Sequence, residues 1–155
     1  MLNFQITGDR QVVERFAAMP ENVHKALVNK ITALAFKLQA KVVNEKLSGQ
    51  VLNRVTGKLA RSIFSEVEDE PEKITGKVAS SGDVKYAGFW EFGFSGTENV
   101  KEHISHSVNG KAFTVRAHTR NVNEAPRSFL RSSLGEMQDE ILQGMSDAAK
   151  QAMRK

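Results

Sequence analysis

The sequence predicts one α+β domain over residues 1–155, in which two long amphipathic helices pack against an antiparallel sheet of about five strands and a β-hairpin projects. Two long segments carry apolar residues at helical spacing, and several short segments alternate apolar and polar residues. Strand–helix–strand alternation is lacking, which argues against a parallel sheet. A chain of 155 residues can bury a sizeable core unaided. The absence of cysteine excludes disulfides, thiolate metal sites and cysteine nucleophiles.

The first third of the chain predicts a strand and two helices. Residues 2–7 alternate apolar and polar, and Gly8-Asp9 ends that strand before a short helix from about Arg10 to Ala18. A long helix is predicted from Glu21 to Leu47, with Ser48-Gly49 as its end. Its apolar stripe consists of Val23, Leu27, Ile31, Leu34, Leu38 and Val42, widened by Ala26, Ala35 and Phe36.

The middle of the chain predicts a connection and a hairpin. Residues 51–60 have no clear period and are expected to connect the long helix to the sheet. Ser62–Glu68 and Lys73–Ser80 both alternate, with the turn Glu70-Pro71-Glu72 between them. Two alternating segments on either side of a short turn are typical of an antiparallel hairpin.

Aromatic residues are concentrated between Val84 and Phe94, where the only Trp, the only Tyr and three of the nine Phe lie. We expect a short helix over Ala87–Phe92, ended by Gly93. The aromatic cluster fits either core packing or an interface, because aromatic side chains anchor many interfaces. Glu91 lies inside it and must be either exposed or paired.

The last third predicts a hairpin, a loop and a helix. Residues 99–117 alternate on both sides of Asn109-Gly110, a pair that favours a two-residue type I′ turn. Both arms are polar on both faces, so this hairpin is expected to project and pair with something else. Residues 118–125 show no period and are expected to form a loop. A helix is predicted from about Ser128 to Met153.

The charge is unevenly distributed, although the net charge is only +4. Residues 1–64 have a balance of +6, residues 65–102 of −5 and residues 103–155 of +3. Lysines along the long helix fit a solvated face, an acidic protein partner or a phosphate backbone. The acidic run Glu66–Glu70 adds another possibility, since opposite patches on one chain allow head-to-tail contacts between copies.

A catalytic or metal site is not apparent in the sequence, and we expect no cofactor. His103 and His106 are three residues apart in a predicted strand, so they point to opposite faces. His24 and His118 lie elsewhere, and the carboxylates from Glu66 to Glu72 surround a hairpin turn. Phosphate-binding glycine loops and a nucleophile elbow are absent. The chain also lacks a signal-peptide pattern and a long apolar run, so we expect a soluble protein made in a reducing compartment.

Four arginines surround the predicted loop. They fit either an ordinary surface loop or one that becomes ordered on a partner. They are Arg116, Arg120, Arg127 and Arg131.

Three segments in a fixed order resemble a known family. They are Thr56-Gly57-Lys58-Leu59-Ala60-Arg61-Ser62-Ile63, Tyr86-Ala87-Gly88-Phe89-Trp90-Glu91-Phe92-Gly93 and Ala125-Pro126-Arg127-Ser128-Phe129-Leu130. This order is similar to that of the tail-completion, or head–tail joining, proteins of long-tailed bacteriophages. In that family the proline and phenylalanine of the third segment are often adjacent, whereas here Arg127-Ser128 separates them.

The resemblance implies a non-enzymatic virion protein of the tail and neck, assembled in the host cytoplasm. Its copies would form a ring, commonly a hexamer, that binds the tail tube protein and the head-tail connector or head completion protein. DNA would pass through the ring without specific binding, and no membrane would be involved. The candidate interface residues are Trp90, Glu91, Phe92, Phe94, Ile104, His106, Phe113, Arg116, Arg120, Arg127 and Phe129. By the same analogy, Trp90, Glu91, Phe92 and Phe129 would sit in or beside the core.

Three other functions remain open at this point. A nucleic-acid-binding module would use the lysine-bearing helix, and its affinity would fall steeply with salt. A hydrolase would need histidines and carboxylates to converge in the fold. A tail terminator, or another tail assembly protein, would use a similar small α+β subunit.

Overall fold

The computed structural model describes residues 2–3, 21–70 and 72–153. The predicted helix over 10–18 and most of the predicted strand over 2–7 lie outside these residues, as does Pro71. The helices are α1 (Glu21–Asn44), α2 (Lys58–Ser62), α3 (Tyr86–Phe92) and α4 (Leu130–Met153), with a 3₁₀ helix over Lys46–Ser48. The strands are β1 (Leu2–Asn3), β2 (Ile63–Glu70), β3 (Lys73–Ser80), β4 (Phe94–Val100), β5 (His103–His106), β6 (Ala112–Val115) and β7 (His118–Glu124).

The long helix α1 forms where the apolar stripe predicts it but ends earlier, at Asn44. The chain tightens into the 3₁₀ helix, and the Lys46 carbonyl then accepts hydrogen bonds from the Val51 and Leu52 N–H groups. These bonds turn the chain back on itself. Phe36, expected on the apolar stripe, is 61% exposed.

The central sheet has the order β1-β3-β2 and is antiparallel throughout. The predicted β2–β3 hairpin is confirmed, with Ile63 opposite Ser80 and Glu70 opposite Lys73. Helix α1 lies on one face of it, where the Gln39 amide donates to the Ile63 carbonyl. Gly76 permits this close approach, because a Cβ there would lie 2.8 Å from Ile31 Cγ2.

Helix α4 packs along α1. Glu136 on α4 accepts from Lys46 and lies 3.0 Å from Lys41, so it joins the two helices near their common end. The hydrogen bonds from Lys46 and Lys41 hold the pKa of Glu136 below its ordinary value. Helix α1 therefore contacts both the sheet and α4.

The predicted α+β class and antiparallel pairing are confirmed, but the strands do not form one continuous sheet. The described strands make the three-stranded central sheet and two separate two-stranded ladders, β4–β7 and β5–β6. The predicted connection over 51–60 is partly wrong, because residues 58–60 begin helix α2. The main core lies where α1, α2, α3 and the start of α4 meet the sheet, and it contains Val42, Leu47, Ala60, Ile63, Val78, Val84, Ala87, Phe129 and Leu130.

Candidate functional site

The candidate site is a long β-hairpin, called the arm here, that runs from Phe94 to Glu124. Its basal ladder pairs Phe94 with Glu124 and Val100 with His118, and its distal ladder pairs His103 with Val115 and His106 with Ala112. Both ladders share one register, so they form a single hairpin interrupted at residues 101–102 and 116–117. At about 3.3 Å per residue the arm is about 40 Å long.

The arm corrects the expectation of a loop over residues 118–125. Residues 118–124 form β7, paired along its whole length with β4. The segment His118-Thr119-Arg120-Asn121 lacks an apolar alternation because neither of its faces is buried. Burial produces the period-two pattern, so a strand exposed on both faces leaves no such trace.

The tip of the arm has a different turn from the one predicted. A type I′ turn needs positive φ at both central residues. Here Asn109 has negative φ and Gly110 has φ +75°. The Gly110 N–H donates to the Ser107 carbonyl at 2.8 Å, and the Ser107 N–H donates to the Lys111 carbonyl. The turn is thus a three-residue connection with glycine in the left-handed position.

None of the residues from 94 to 124 is buried. The strands of the arm pack on each other and otherwise make few contacts with the rest of the fold. Large apolar side chains are nevertheless present on the distal part: Ile104 is 69% exposed, Phe113 is 51% exposed and Val108 at the tip is fully exposed. The arm therefore offers backbone edges and apolar side chains that the described residues do not cover.

A buried carboxylate fixes the base of the arm. Glu91 on α3 is 0% exposed, and its carboxylate lies against the start of α4. Its Oε2 accepts from the N–H groups of Phe129 at 2.8 Å and Leu130 at 2.9 Å. Its Oε1 accepts from the Arg131 N–H at 2.9 Å and the Ser128 hydroxyl at 2.7 Å. Glu91 thus satisfies N–H groups that a helix start otherwise leaves unpaired.

Burial raises the pKa of Glu91, but the hydrogen bonds from Leu130, Arg131, Ser128 and Phe129 outweigh this effect and hold the pKa below its ordinary value. The carboxylate is consequently ionised at neutral pH. We call Glu91 and its partners at 128–131 the Glu91 clamp. Because the clamp joins residues just before β4 to residues just after β7, it fixes the direction in which the arm leaves the body.

Two arginines and a glycine complete the base of the arm. Arg127 lies over the Trp90 ring at 5.3 Å, and its N–H donates to the Trp90 carbonyl at 2.7 Å. Arg131 lies over the Phe92 ring at 4.7 Å and also donates to Glu91. Gly93 has φ +77°, and a Cβ there would lie 2.8 Å from the Glu124 carbonyl oxygen. Only glycine fits this position without strain.

The aromatic cluster lies mostly at the surface, which favours the interface interpretation over core packing. Phe89 and Phe92 are each 52% exposed and Tyr86 is 38% exposed. Helix α3 buries Ala87 and Glu91 instead. The exposed aromatic residues therefore form an apolar surface beside the base of the arm.

The predicted interface residues divide into two groups. Glu91 and Phe129 are fully buried and cannot contact a partner, so their place among the interface residues is corrected: they position the arm from inside the body. Trp90 and Phe94 are half-buried. The others are exposed, namely Phe92, Ile104, His106, Phe113, Arg116, Arg120 and Arg127.

Among the described residues, the histidines and carboxylates do not converge on one site. His24 bonds to Asp69 at 2.8 Å, while His103 and His118 each bond a backbone carbonyl two residues earlier. Within residues 2–3, 21–70 and 72–153, no group of three or more potential ligands could hold a metal ion. The sequence left open whether Glu91 is exposed or paired, and the structure shows it paired with residues 128–131; nothing in the sequence indicated Ser128 as a partner.

The chain was compared with known protein families, proteins and structures. No protein-family model, no curated protein and no solved structure matches it. Among the described residues, none of the helices is long and apolar enough to cross a membrane.

Proposed function

We propose that this chain is a structural virion protein at the head-proximal end of a bacteriophage tail. Its copies form a ring, commonly a hexamer, that completes the tail tube and joins it to the head-tail connector or head completion protein. The subunit is assembled in the host cytoplasm and resides in the tail and neck of the virion. DNA passes through the ring without specific binding.

The three segments that carry the family resemblance meet in one place, which supports this proposal. Ala60 and Ile63 from the first segment, Ala87 from the second and Phe129 from the third belong to one core cluster. The Glu91 clamp links the second and third segments directly. The occurrence of all three segments in one chain thus has a structural basis, because their residues pack in the same core cluster.

The observation that carries the proposal is the uncovered arm. A two-stranded hairpin has little stability of its own in water, and this one buries none of its residues in the chain. Its orientation is nevertheless fixed by the Glu91 clamp, in which Glu91 and Phe129 are fully buried. A rigidly based arm with exposed edges and apolar side chains is suited to contacts with other subunits, since sheet edges bind through added strands.

Binding to tail tubes tests the proposal. Tubes from the phage or prophage that encodes the chain are mixed with the purified protein, and tube ends are imaged by electron microscopy. A matched variant shortens the arm by joining Glu98 to Arg120 through Asn-Gly, since these two residues oppose each other in the ladder. We expect the full chain to cap one tube end with a ring and the shortened chain to fold without capping.

The proposal is contradicted if the full chain does not bind tube ends and a phage lacking the gene still gives normal virions. Micrographs of the gene-deleted phage also separate tail completion from tail termination. Completion predicts finished tails of normal length that remain detached from heads, whereas termination predicts tails of irregular length.

A further inference from the structure

Among the described residues, two exposed strand edges carry opposite charge. The first is β2, which lies at the edge of the described central sheet. Residues 63–70 contain four carboxylates, Glu66, Glu68, Asp69 and Glu70, and no Lys or Arg. All four residues except Asp69 point away from α1, and Lys77 is the nearest cation, 3.5 Å from Glu66 and 3.8 Å from Glu68.

The second edge is the returning strand of the arm, over residues 111–123. It contains Lys111, Arg116 and Arg120, together with His118, and the first carboxylate that follows them is Glu124 at the basal end of β7. Arg120 pairs with Glu98 at 2.7 Å across the ladder. In the described part of the chain neither Lys111 nor Arg116 lies within ion-pair distance of a carboxylate. This edge is therefore cationic, and the described carboxylates do not neutralise the charges of Lys111 and Arg116 at its distal end.

We propose that the β6–β7 edge of one copy pairs with the β2 edge of a neighbouring copy, so that the arm of each subunit extends the central sheet of the next. This inference rests on the proposed function, because it names the contact that holds the ring together. The partner is a second copy of this chain, and the bonds are the backbone hydrogen bonds of an added strand.

The charges select this pairing over the alternatives. Pairing β2 with β2 would place carboxylates against carboxylates, and pairing two arms through their returning strands would place Lys111 and Arg116 against like charges. Like charges across strands are destabilising, whereas opposite charges stabilise the pair. The contact is consequently heterologous: one surface of a copy binds a different surface of the next, which generates a closed ring when the rotation closes.

The same contact explains how the arm is stabilised. Strand β2 is eight residues long, and the returning strand is long enough to cover it. Docking turns a two-stranded ribbon into part of a sheet with three or more strands, which is the condition for independent stability. It would also bring Phe113 and Val115 of the returning strand toward the neighbouring subunit.

A charge-reversal experiment tests the pairing. The edge variant carries Glu66→Lys and Glu68→Lys, the arm variant carries Lys111→Glu and Arg116→Glu, and a third chain carries all four changes. Self-association of the full chain is measured by sedimentation at low salt and as ring formation on tail-tube ends. We expect each double variant to associate at least about tenfold more weakly and the combined variant to recover, because the complementarity is restored with reversed sign.

Matched controls reverse equally exposed charges outside both edges. Asp83→Lys with Asp147→Lys matches the edge variant, and Lys85→Glu with Lys150→Glu matches the arm variant. We expect these controls to associate as the native chain does. Circular dichroism checks that each variant is folded.

A cross-linking experiment gives a second readout that does not depend on charge. The chain has no cysteine, so introduced cysteines are unique. Glu68→Cys in one copy and Thr114→Cys in another should form an intermolecular disulfide, whereas two copies carrying the same change should not. Equal cross-linking of like copies overturns the inference in favour of a symmetric dimer.

The remaining outcomes separate this inference from the proposed function. A native chain that shows no self-association, or rings unaffected by the double variants, overturns the inference; in the latter case the ring function stands. Arm-to-β2 association without binding to tail tubes contradicts the proposed function and supports the inference. If Lys111→Glu with Arg116→Glu abolishes binding to a DNA duplex and leaves self-association unchanged, the arm is a nucleic-acid surface and the inference fails.

Discussion

The β2–β3 hairpin and the arm are both antiparallel, yet they depend on different parts of the molecule. The first lies under α1, which packs on Ser65 and Gly76 through Gln39 and Ile31. The second has no such cover and buries none of its residues. Backbone pairing alone thus does not distinguish a structural hairpin from one that is available to a partner. The two differ in whether another element packs on the strands.

The two hairpins also differ in how their direction is fixed. The packing of α1 fixes β2–β3 along the strands, whereas the arm is fixed only at its base by the Glu91 clamp. A clamp at one end sets direction without restricting the distal residues. The arm can therefore reach a neighbour in a defined direction and still adjust its tip, which suits an assembly contact.

The largest expected difference in stability between variants of the body and of the arm is between two phenylalanine substitutions. Phe129 is fully buried, and we expect Phe129→Ala to lower the free energy of unfolding by about 3–5 kcal/mol. Phe113 on the arm is half exposed, and Phe113→Ala should change it by no more than about 0.5 kcal/mol. Urea denaturation measures both. A large destabilisation by Phe113→Ala would show that the arm is part of the core after all.

The next prediction compares the loss of stability on replacing a buried and an exposed glutamate. Glu91→Gln removes the charge that five donors share, and we expect a loss of about 2–3 kcal/mol. Glu98, which is exposed on the arm and paired with Arg120, is the matched control. Glu98→Gln should cost about 0.5 kcal/mol or less, because surface ion pairs contribute little. Similar losses at both positions would contradict the importance of the clamp.

Burial explains which elements were predictable from the sequence. Helix α1 has an apolar stripe and strand β3 alternates Ile74, Gly76 and Val78 on the face toward α1, so their spacing revealed them, and the predicted bounds Lys73–Ser80 match the observed strand. Strand β7 buries neither face and was therefore mistaken for a loop. The short helix α2 escaped notice because five residues are too few for a helical period to be recognised.

The site was only partly predictable for a related reason. The candidates Ile104, Phe113 and Arg116 are exposed, as a projecting hairpin predicts, and their role at an interface stays a prediction. Glu91 was selected for the wrong role. Its partners at 128–131 lie 37 to 40 residues away, and a hydrogen bond over that separation leaves no local pattern in a single sequence.

A smaller difference in stability is expected between alanine substitutions of two strand glycines. A Cβ at Gly76 would lie 2.8 Å from Ile31 Cγ2, under the packed helix α1. A Cβ at Gly96 on the arm would lie 2.9 Å from Phe94 Cζ, the far end of a side chain that can turn away. We expect Gly76→Ala to cost about 1–2 kcal/mol and Gly96→Ala to be nearly neutral. Thermal denaturation of both variants measures the difference, and an equal loss would mean that the arm is packed as tightly as the body.

The smallest effect is the dependence of the clamp on pH. The pKa of Glu91 is lowered from its ordinary value of 4.5 in the folded chain, so its contribution to stability is present above that pH. The contribution is lost as the pH falls through the folded-state pKa, because the protonated carboxyl accepts fewer of the bonds from α4. The difference in unfolding free energy between the native chain and Glu91→Gln should therefore shrink as the pH falls from about 7 to about 3. Glu136 also has a lowered pKa, but both chains share it, so its effect cancels in the difference. A difference that stays constant over this range would mean that the pKa of Glu91 is the same in the folded and unfolded chains, and a difference that grows as the pH falls would mean that the carboxyl is protonated in the fold.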